Sequence, residues 1–172
     1  MISIINATNR PGNRTQLFTQ LYFERLQEKG VLAQYASLEQ LNTIRLDDLF
    51  ELKNHSSFKD FTSKYIKDVN KIVIISPEYN GSYTGILKLL IDNSEYQLFK
   101  NKKIALIGTS TGRAGNLRGL DHLTNIFHYL EAQVLHLKIP ISSINQFINN
   151  EKVTDKSIKD LFDKQIDLFL EF

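Results

Sequence analysis

Residues 7–15 carry side chains that together suit the binding of a phosphate group. This segment, ATNRPGNRT, offers hydroxyl groups at Thr8 and Thr15, guanidinium groups at Arg10 and Arg14, and an amide at Asn13. A helical pattern follows, and main-chain N–H groups at the start of a helix favour an anion, which guanidinium groups also bind. A polar turn with a helix cap would explain the segment equally well. It matches neither the Walker A pattern nor Gly-x-Gly-x-x-Gly.

Two further polar segments suit a flat, heteroaromatic ligand. Residues 76–85, SPEYNGSYTG, place an Asn80-Gly81 turn between Tyr79 and Tyr83, and that dipeptide readily adopts positive φ angles. Residues 108–115, GTSTGRAG, are small enough for a ring or another backbone to approach closely. Each segment has a plain alternative, a tight connection in the first case and a glycine-rich loop without a ligand in the second.

All three segments follow aliphatic runs that predict strands. Residues 2–5, 72–75 and 104–107 are rich in β-branched side chains and too short for helices, which is typical of parallel strands buried on both faces. Residues 33–37 and 134–139 are weaker candidates. The sequence therefore predicts five strands.

Helical spacing of apolar residues separates these strands. Thr15, Thr84 and Asn116 precede predicted helices, Gly30 ends the first one, and Ser57 with Asp60 forms a possible capping box. Two further sets of residues complete the helical faces: Leu117, Leu120, Leu123, Phe127 and Leu130 in one, and Ile158, Leu161, Phe162 and Phe169 in the other. Residues 41–54 are interpreted as a connection with at most a short helix.

Strands that alternate with helices predict an α/β fold, a doubly wound five-stranded parallel sheet of order 2-1-3-4-5 with helices on both faces. In such a sheet the ligand lies beyond the carboxyl ends of the strands, between strands 1 and 3, where flavodoxin-like proteins hold FMN. The three polar segments follow strands 1, 3 and 4. We expect them to converge there.

The second segment closely resembles a family signature. PEYNGSY at residues 77–83, GILK at 85–88 and Ile91-Asp92 are similar to the NADPH-dependent FMN reductase family, which includes quinone, azo-dye and chromate reductases. The first segment resembles the family's phosphate loop, Gly-Ser-x-Arg-x-x-Ser-x-Asn/Thr, and the third resembles its third loop. The resemblance extends to about residue 134. Ala7, Thr84 and Asn93-Ser94 depart from the family's usual residues.

The resemblance implies an NAD(P)H-dependent oxidoreductase with FMN, in which hydride passes from NADPH or NADH to FMN and then to a flavin, quinone or similar acceptor. It implies a homodimer or homotetramer and no catalytic side chain, because the flavin carries the redox chemistry. The expected cofactor-binding residues are Thr8, Arg10, Asn13 and Thr15 at the phosphate, and Pro77, Glu78, Tyr79, Asn80, Gly81, Ser82, Thr109, Ser110, Thr111 and Gly112 around the ring. A flavodoxin-type electron carrier and a non-catalytic flavin-binding module are the alternatives.

Composition excludes several other classes. The chain has 172 residues and no Cys, so disulfides and thiolate chemistry are excluded. With 21 Lys and Arg against 19 Asp and Glu, nothing in the charge balance calls for nucleic acid or a membrane partner. The four histidines lack metal-ligand spacing with carboxylates, and Ser110 has no histidine base nearby in sequence. We expect one cytoplasmic domain over residues 1–172, without a metal, and a structural or inter-subunit salt bridge for Glu78.

Overall fold

A computed structural model describes residues 1–42 and 56–172 of the chain. The strands are β1 (Ile2–Asn6), β2 (Ala33–Ser37), β3 (Lys71–Pro77), β4 (Lys103–Thr109), β5 (Gln133–Val134), β6 (Ile139–Ile141), β7 (Ile148–Asn149) and β8 (Lys152–Val153). The helices are α1 (Thr15–Glu28), α2 (Ser56–Thr62, continued by a π-helical turn over Ser63–Lys67), α3 (Gly85–Asp92), α4 (Leu117–Tyr129) and α5 (Lys156–Glu171). The predicted connection over 41–54 lies largely outside the described residues, and His55 lies wholly outside them.

The central sheet is parallel, with order β2-β1-β3-β4-β5, and β6 also pairs with β4. This confirms the predicted α/β fold and its strand order. Alternate residues of each strand point to opposite faces. Ile72 and Ile74 face a core closed by α2, α3 and α4, whereas Val73 and Ile75 face a core closed by α1 and α5. Helices therefore cover both faces of the sheet.

The prediction of one continuous fifth strand over 134–139 is wrong. Val134 of β5 pairs with Ile104, but Ile139 of β6 pairs with Ile107, so the outer strand holds two more residues than β4 over the same stretch. Such an insertion produces a bulge, which edge strands tolerate because one of their sides is unpaired. Pro140 follows in β6, where it has no N–H to donate.

The predicted helix starts are partly confirmed. Thr84 caps α3, since its hydroxyl accepts from the main-chain N–H of Leu87 at 3.4 Å. The capping role predicted for Thr15 is wrong: α1 begins at Thr15, and the Asn13 side chain accepts from the N–H of Gln16 at 2.9 Å instead. Ser57 lies inside α2 rather than before it.

Gly30 and Leu117 were predicted at the end of α1 and on the apolar face of α4. Gly30 follows α1 with φ +71°, as predicted from its position after Lys29. Leu117, predicted on the apolar face of α4, is 51% exposed, because it occupies the first position of that helix. No helix in residues 1–42 or 56–172 has the length and apolar character needed to cross a membrane.

Glycine packing holds the loop after β4 against the sheet. A Cβ atom on Gly108 would overlap the carbonyl oxygen of Gly115 and lie 2.9 Å from the Asn116 Cβ. Gly115 itself has φ +59°, and a Cβ there would lie 2.7 Å from the Pro140 carbonyl carbon. The glycines of the third polar segment therefore permit close backbone packing, as the sequence predicted.

We expect Gly108→Ala to lower the free energy of unfolding by about 1–3 kcal/mol, because the added methyl group forces backbone to move. Urea denaturation measures the effect. Gly85→Ala is the matched control, since nothing lies within 4 Å of a Cβ at that position. Equal stability of the two variants would contradict this account of the packing.

Candidate functional site

The three polar segments meet in a cavity of about 470 Å³ at the carboxyl edge of the sheet. This volume lies within the usual range for small-molecule sites. The cavity is lined by Arg10, Pro11, Gly12, Asn13, Arg14, Thr15, Pro77, Glu78, Tyr79, Thr109, Ser110, Thr111 and Ile144. Of the predicted cofactor-binding residues, five lie beside the cavity rather than in its wall: Thr8, Asn80, Gly81, Ser82 and Gly112.

Residues 10–14 of the first loop line this cavity. Gly12 has φ +64°, a conformation that glycine adopts without strain. The main-chain N–H groups of Gly12, Asn13 and Arg14 donate to no acceptor within the described part of the chain. Arg10 and Arg14 add two exposed guanidinium groups. Free N–H groups beside cations are the donor set that a phosphate requires.

The Asn13 amide holds this loop in shape. Its Nδ2 donates to the Arg10 carbonyl at 2.8 Å and to the Glu39 carboxylate at 2.6 Å, while its Oδ1 accepts from the N–H of Gln16. Every polar atom of the amide therefore has a protein partner. What Asn13 offers the cavity is its main-chain N–H.

Two hydroxyl contacts join the polar segments to one another. The Thr8 and Tyr79 hydroxyl oxygens are 2.8 Å apart, which links the first segment to the second. The Thr15 and Thr109 hydroxyl oxygens are 3.0 Å apart, which links the start of α1 to the end of β4. Thr8 is fully buried, so its hydroxyl positions Tyr79 and does not face the cavity.

The second segment forms a two-residue turn. Tyr79 and Ser82 exchange main-chain hydrogen bonds of 2.8 and 3.1 Å, and between them Asn80 and Gly81 have φ +51° and +79°. Positive φ at both central positions defines the turn that Asn-Gly favours, which confirms the predicted turn. The Ser82 hydroxyl lies 2.9 Å from Nδ1 of His122.

Asn116 is a positioning residue that the sequence interpretation treated only as a helix start. It adopts φ +63° and makes no side-chain cap. Its Nδ2 donates to the carbonyls of Ser76 and Pro77 at 3.0 and 3.1 Å, and its N–H donates to a Glu78 carboxylate oxygen at 3.2 Å. Asn116 therefore clamps the end of β3. The signal was the Gly115-Asn116 dipeptide, because asparagine tolerates positive φ better than most residues.

The Glu78 carboxylate, for which a structural or inter-subunit salt bridge was predicted, contacts Asn116. The carboxylate accepts from a main-chain N–H and so organises the loop locally, a structural role without a cationic partner among residues 1–42 and 56–172. A partner from another subunit stays a prediction. In the same described ranges, no three His, Asp or Glu side chains gather closely enough to hold a metal ion.

The third segment is hydrogen-bonded to the end of β6 and to the residues that follow it. Ser110 donates its N–H to the Ile141 carbonyl at 2.9 Å, and Ile144 and Ser143 donate theirs to Ser110 and Gly112 at 3.1 and 2.8 Å. This arrangement brings Ile144 into the cavity wall. Sequence reasoning missed Ile144 because it comes from a loop after the outer strand, with no polar motif of its own.

Two tyrosines, Tyr35 and Tyr83, have raised pKa values. Burial raises the pKa of Tyr83, with a smaller contribution from the charge of Asp92. Burial also raises the pKa of Tyr35, helped by the Glu39 carboxylate, although a hydrogen bond from Asn6 acts in the opposite direction. The ionisable side chains other than tyrosine in the cavity wall are Arg10, Arg14 and Glu78.

The fold and the cavity together define a flavodoxin-like protein, with a polar cavity at the point where the strand order reverses. The NADPH-dependent FMN reductase family matches residues 1–146, and the chain belongs to that family. This confirms the family predicted from the sequence motifs.

Similarity to individual proteins is consistent with that family. The chain is 31% identical over 106 residues to the NAD(P)H-dependent FMN reductase PA1204 of Pseudomonas aeruginosa, covering 59% of this chain and 57% of that protein. It is 29% identical over 119 residues to an FMN-dependent NADPH-azoreductase of Staphylococcus haemolyticus, covering 67% of this chain and 60% of that protein. The matches thus span less than two thirds of either relative.

A solved structure shows the same fold. The flavoenzyme NAD(P)H:(acceptor) oxidoreductase of Paracoccus denitrificans superposes with a TM-score of 0.74, covering 99% of this chain and 97% of that one. The two sequences are 21% identical, so the likeness concerns the fold alone.

We expect Asn116→Ala to lower the free energy of unfolding by about 2 kcal/mol more than Asn101→Ala does, because the carbonyls of Ser76 and Pro77 each lose a donor. Urea denaturation measures both. Asn101 is an exposed asparagine with φ +61°, so its variant carries the same backbone cost without the clamp. Equal losses would show that the positive φ, and not the side-chain clamp, is what asparagine supplies at 116.

Proposed function

We propose that the chain binds FMN in the cavity at the carboxyl edge of the sheet and uses NADPH or NADH to reduce a small acceptor. The observation that carries this proposal is the set of free N–H groups at residues 12–14, flanked by Arg10 and Arg14. They lie at the switch point of a doubly wound sheet, where such folds bind nucleotides. Membership of the FMN reductase family supports the same ligand.

The phosphate end would be held mainly by the first loop. The N–H groups of Gly12, Asn13 and Arg14 donate to phosphate oxygens, and Arg10 adds a charge-assisted hydrogen bond. The Thr15 hydroxyl completes the set from the start of α1, while Thr8 acts indirectly by holding Tyr79. The presence of Arg10, Thr15 and residues 12–14 in the cavity wall supports this assignment, and the contact between the Thr8 and Tyr79 hydroxyls supports the indirect role of Thr8.

The ring end would be held between the second and third segments. Residues 77–82 lie along one edge of the isoalloxazine and residues 109–112 along the other, with Tyr79 supplying an aromatic wall. Bound FMN would supply the hydride chemistry, and the protein supplies binding, orientation and polarity. No side chain of the chain needs to transfer a proton in this scheme. The Asn116 clamp keeps the carbonyls of Ser76 and Pro77 from turning toward the ring.

We expect Arg10→Ala to weaken FMN binding by about 10–100-fold, the effect of losing one charge-assisted hydrogen bond. Riboflavin, which lacks the phosphate, should bind the variant and the parent alike. Fluorescence titration measures both ligands. Arg118→Ala is the control, because Arg118 is exposed on α4 and lies outside the cavity wall. Equal losses for FMN and riboflavin would place Arg10 away from the phosphate.

Steady-state kinetics test the proposed turnover. Because one cleft serves both substrates, the nicotinamide must leave before an acceptor can stack, and we expect ping-pong kinetics with parallel double-reciprocal lines. A quinone, an azo dye and free flavin serve as trial acceptors. Intersecting lines would indicate a ternary complex and a second substrate site. If neither NADPH nor NADH reduces the FMN-loaded chain, the electron-carrier or binding-module function is supported instead.

The proposal includes a homodimer or homotetramer, formed through a groove between α3 and α4. This groove has a volume of about 450 Å³ and contains the apolar side chains of Ile91, Phe99 and Leu130. Tyr96 and Tyr129, 46% and 75% exposed, contact edge to face on its rim with their ring centroids 6.0 Å apart. Exposed tyrosines beside an apolar groove are typical of protein interfaces.

We expect Tyr129→Lys to shift the chain toward a monomer, because a charge replaces an exposed aromatic side chain beside the apolar groove. Light scattering at several concentrations measures the mass. Leu32→Lys changes another exposed apolar side chain, 71% exposed, at the opposite edge of the sheet and should leave the mass unchanged. A Tyr129→Lys chain with the parent's mass would rule out this groove as the interface.

We also propose that the chain forms one domain and acts in the cytoplasm. Both apolar cores share the one central sheet, which supports a single domain over residues 1–172. We place the activity in the cytoplasm because NAD(P)H is an intracellular reductant.

A further inference from the structure

A second cavity lies beside the phosphate end of the first one. Its volume is about 520 Å³. The two cavities share Gly12, Asn13 and Arg14 as a common wall, so the loop proposed to hold the FMN phosphate has one ligand-sized space on each side. The family relationship and the proposed reaction use only the first of them.

The remaining walls of the second cavity come from two elements. Gln16 and Leu17 belong to the first turn of α1, and both are half-buried. Asn145, Ile148 and Glu151 come from the segment after β6 and from the hairpin formed by β7 and β8. The cavity is therefore closed by a part of the chain that the sequence motifs did not single out.

These groups match the chemistry of an adenylate. Leu17 and Ile148 are half-buried and apolar, as a flat base requires, and the amides of Gln16 and Asn145 can bond the base edges. The Glu151 carboxylate can accept from ribose hydroxyls, a role that acidic residues have in dinucleotide sites. The turn of the β7–β8 hairpin holds it there, with φ +48° at Asn150 and +57° at Glu151.

Arg14 lies at the boundary between the two cavities. Its guanidinium donates through Nη1 to the Asn145 side-chain oxygen, which joins the first loop to the segment after β6. In this position the Arg14 guanidinium would lie beside the second phosphate group of a dinucleotide whose first phosphate group is in the first cavity. A pyrophosphate that crosses the shared wall would thus meet Arg10 at one end and Arg14 at the other.

We infer that the second cavity binds the adenylate half of a flavin dinucleotide, so that the chain accepts FAD as well as FMN. The inference rests on the proposed function, because it needs the flavin phosphate at the shared wall. The same adenylate chemistry occurs in NADPH, NADH and free AMP. Continuity with the phosphate end favours FAD, since a nicotinamide must reach the ring, at the other end of the first cavity.

Calorimetric titration of the flavin-free chain with FMN, FAD and AMP tests the assignment. We expect FAD to bind at least as tightly as FMN, and AMP to compete with FAD but not with FMN. Glu151→Gly should weaken FAD binding about 10-fold and leave FMN binding unchanged, because a charged hydrogen-bond acceptor is lost. Asn150→Gly is the matched control, as it changes the neighbouring residue of the same positive-φ turn outside the cavity wall.

The outcomes that contradict the inference, or the ribose contact assigned to Glu151, can be told apart. FMN binding with FAD at least 10-fold weaker would refute the subsite and leave the proposed function intact. Tighter FAD binding to Glu151→Gly would mean that the carboxylate faces phosphates instead of ribose. If AMP instead competes with NADPH for the FMN-loaded chain, the adenylate belongs to the pyridine nucleotide. Failure of the folded chain to bind either flavin would remove both proposals.

Discussion

The parallel register of β1, β3 and β4 is the constraint on which the site depends. Asn6, Ile75 and Ile107 lie side by side in the sheet, so the three polar segments leave it at the same level. Because β1 and β3 send their connections to opposite faces, a cleft opens between those segments. A shift of one residue in any of these strands would turn its whole side-chain pattern over and would separate the segments. The buried aliphatic runs prevent such a shift.

Most polar side chains at this edge bond protein groups, while the main-chain N–H groups of residues 12–14 have no protein acceptor in the described part of the chain. The Asn13 amide shapes the first loop, the Thr8 and Thr15 hydroxyls tie it to its neighbours, and Asn116 clamps the end of β3. Backbone N–H groups held in this way need no reorganisation when an anion arrives. Arg10 and Arg14 also supply cationic groups at the cavity wall, and Arg14 in addition donates to the Asn145 side chain. This division of roles suits a protein whose redox chemistry belongs to a bound cofactor.

Sequence reasoning succeeded where a single local pattern decides the structure. Buried aliphatic runs correctly predicted the main strands, and Thr84 correctly predicted a helix cap. The Asn80-Gly81 dipeptide correctly predicted a turn, which has positive φ at both residues. It failed where distant segments compete. The bulge between β5 and β6 depends on the register of an edge strand, and the roles of Asn116 and Ile144 depend on contacts that only the folded chain creates. Thr15 was predicted to cap α1, but Asn13 accepts the N–H of Gln16 instead. Both residue types can cap a helix, so the sequence alone does not decide between them.

The central claim is that the three segments form one FMN site, and equilibrium titration of the folded, flavin-free chain with FMN tests it most directly. Calorimetry gives the stoichiometry, the visible spectrum reports the ring environment, and circular dichroism checks that the chain is folded. The account predicts one FMN per chain, with a shifted flavin spectrum. A folded chain that takes up no FMN, or that takes it up without saturation, would contradict it.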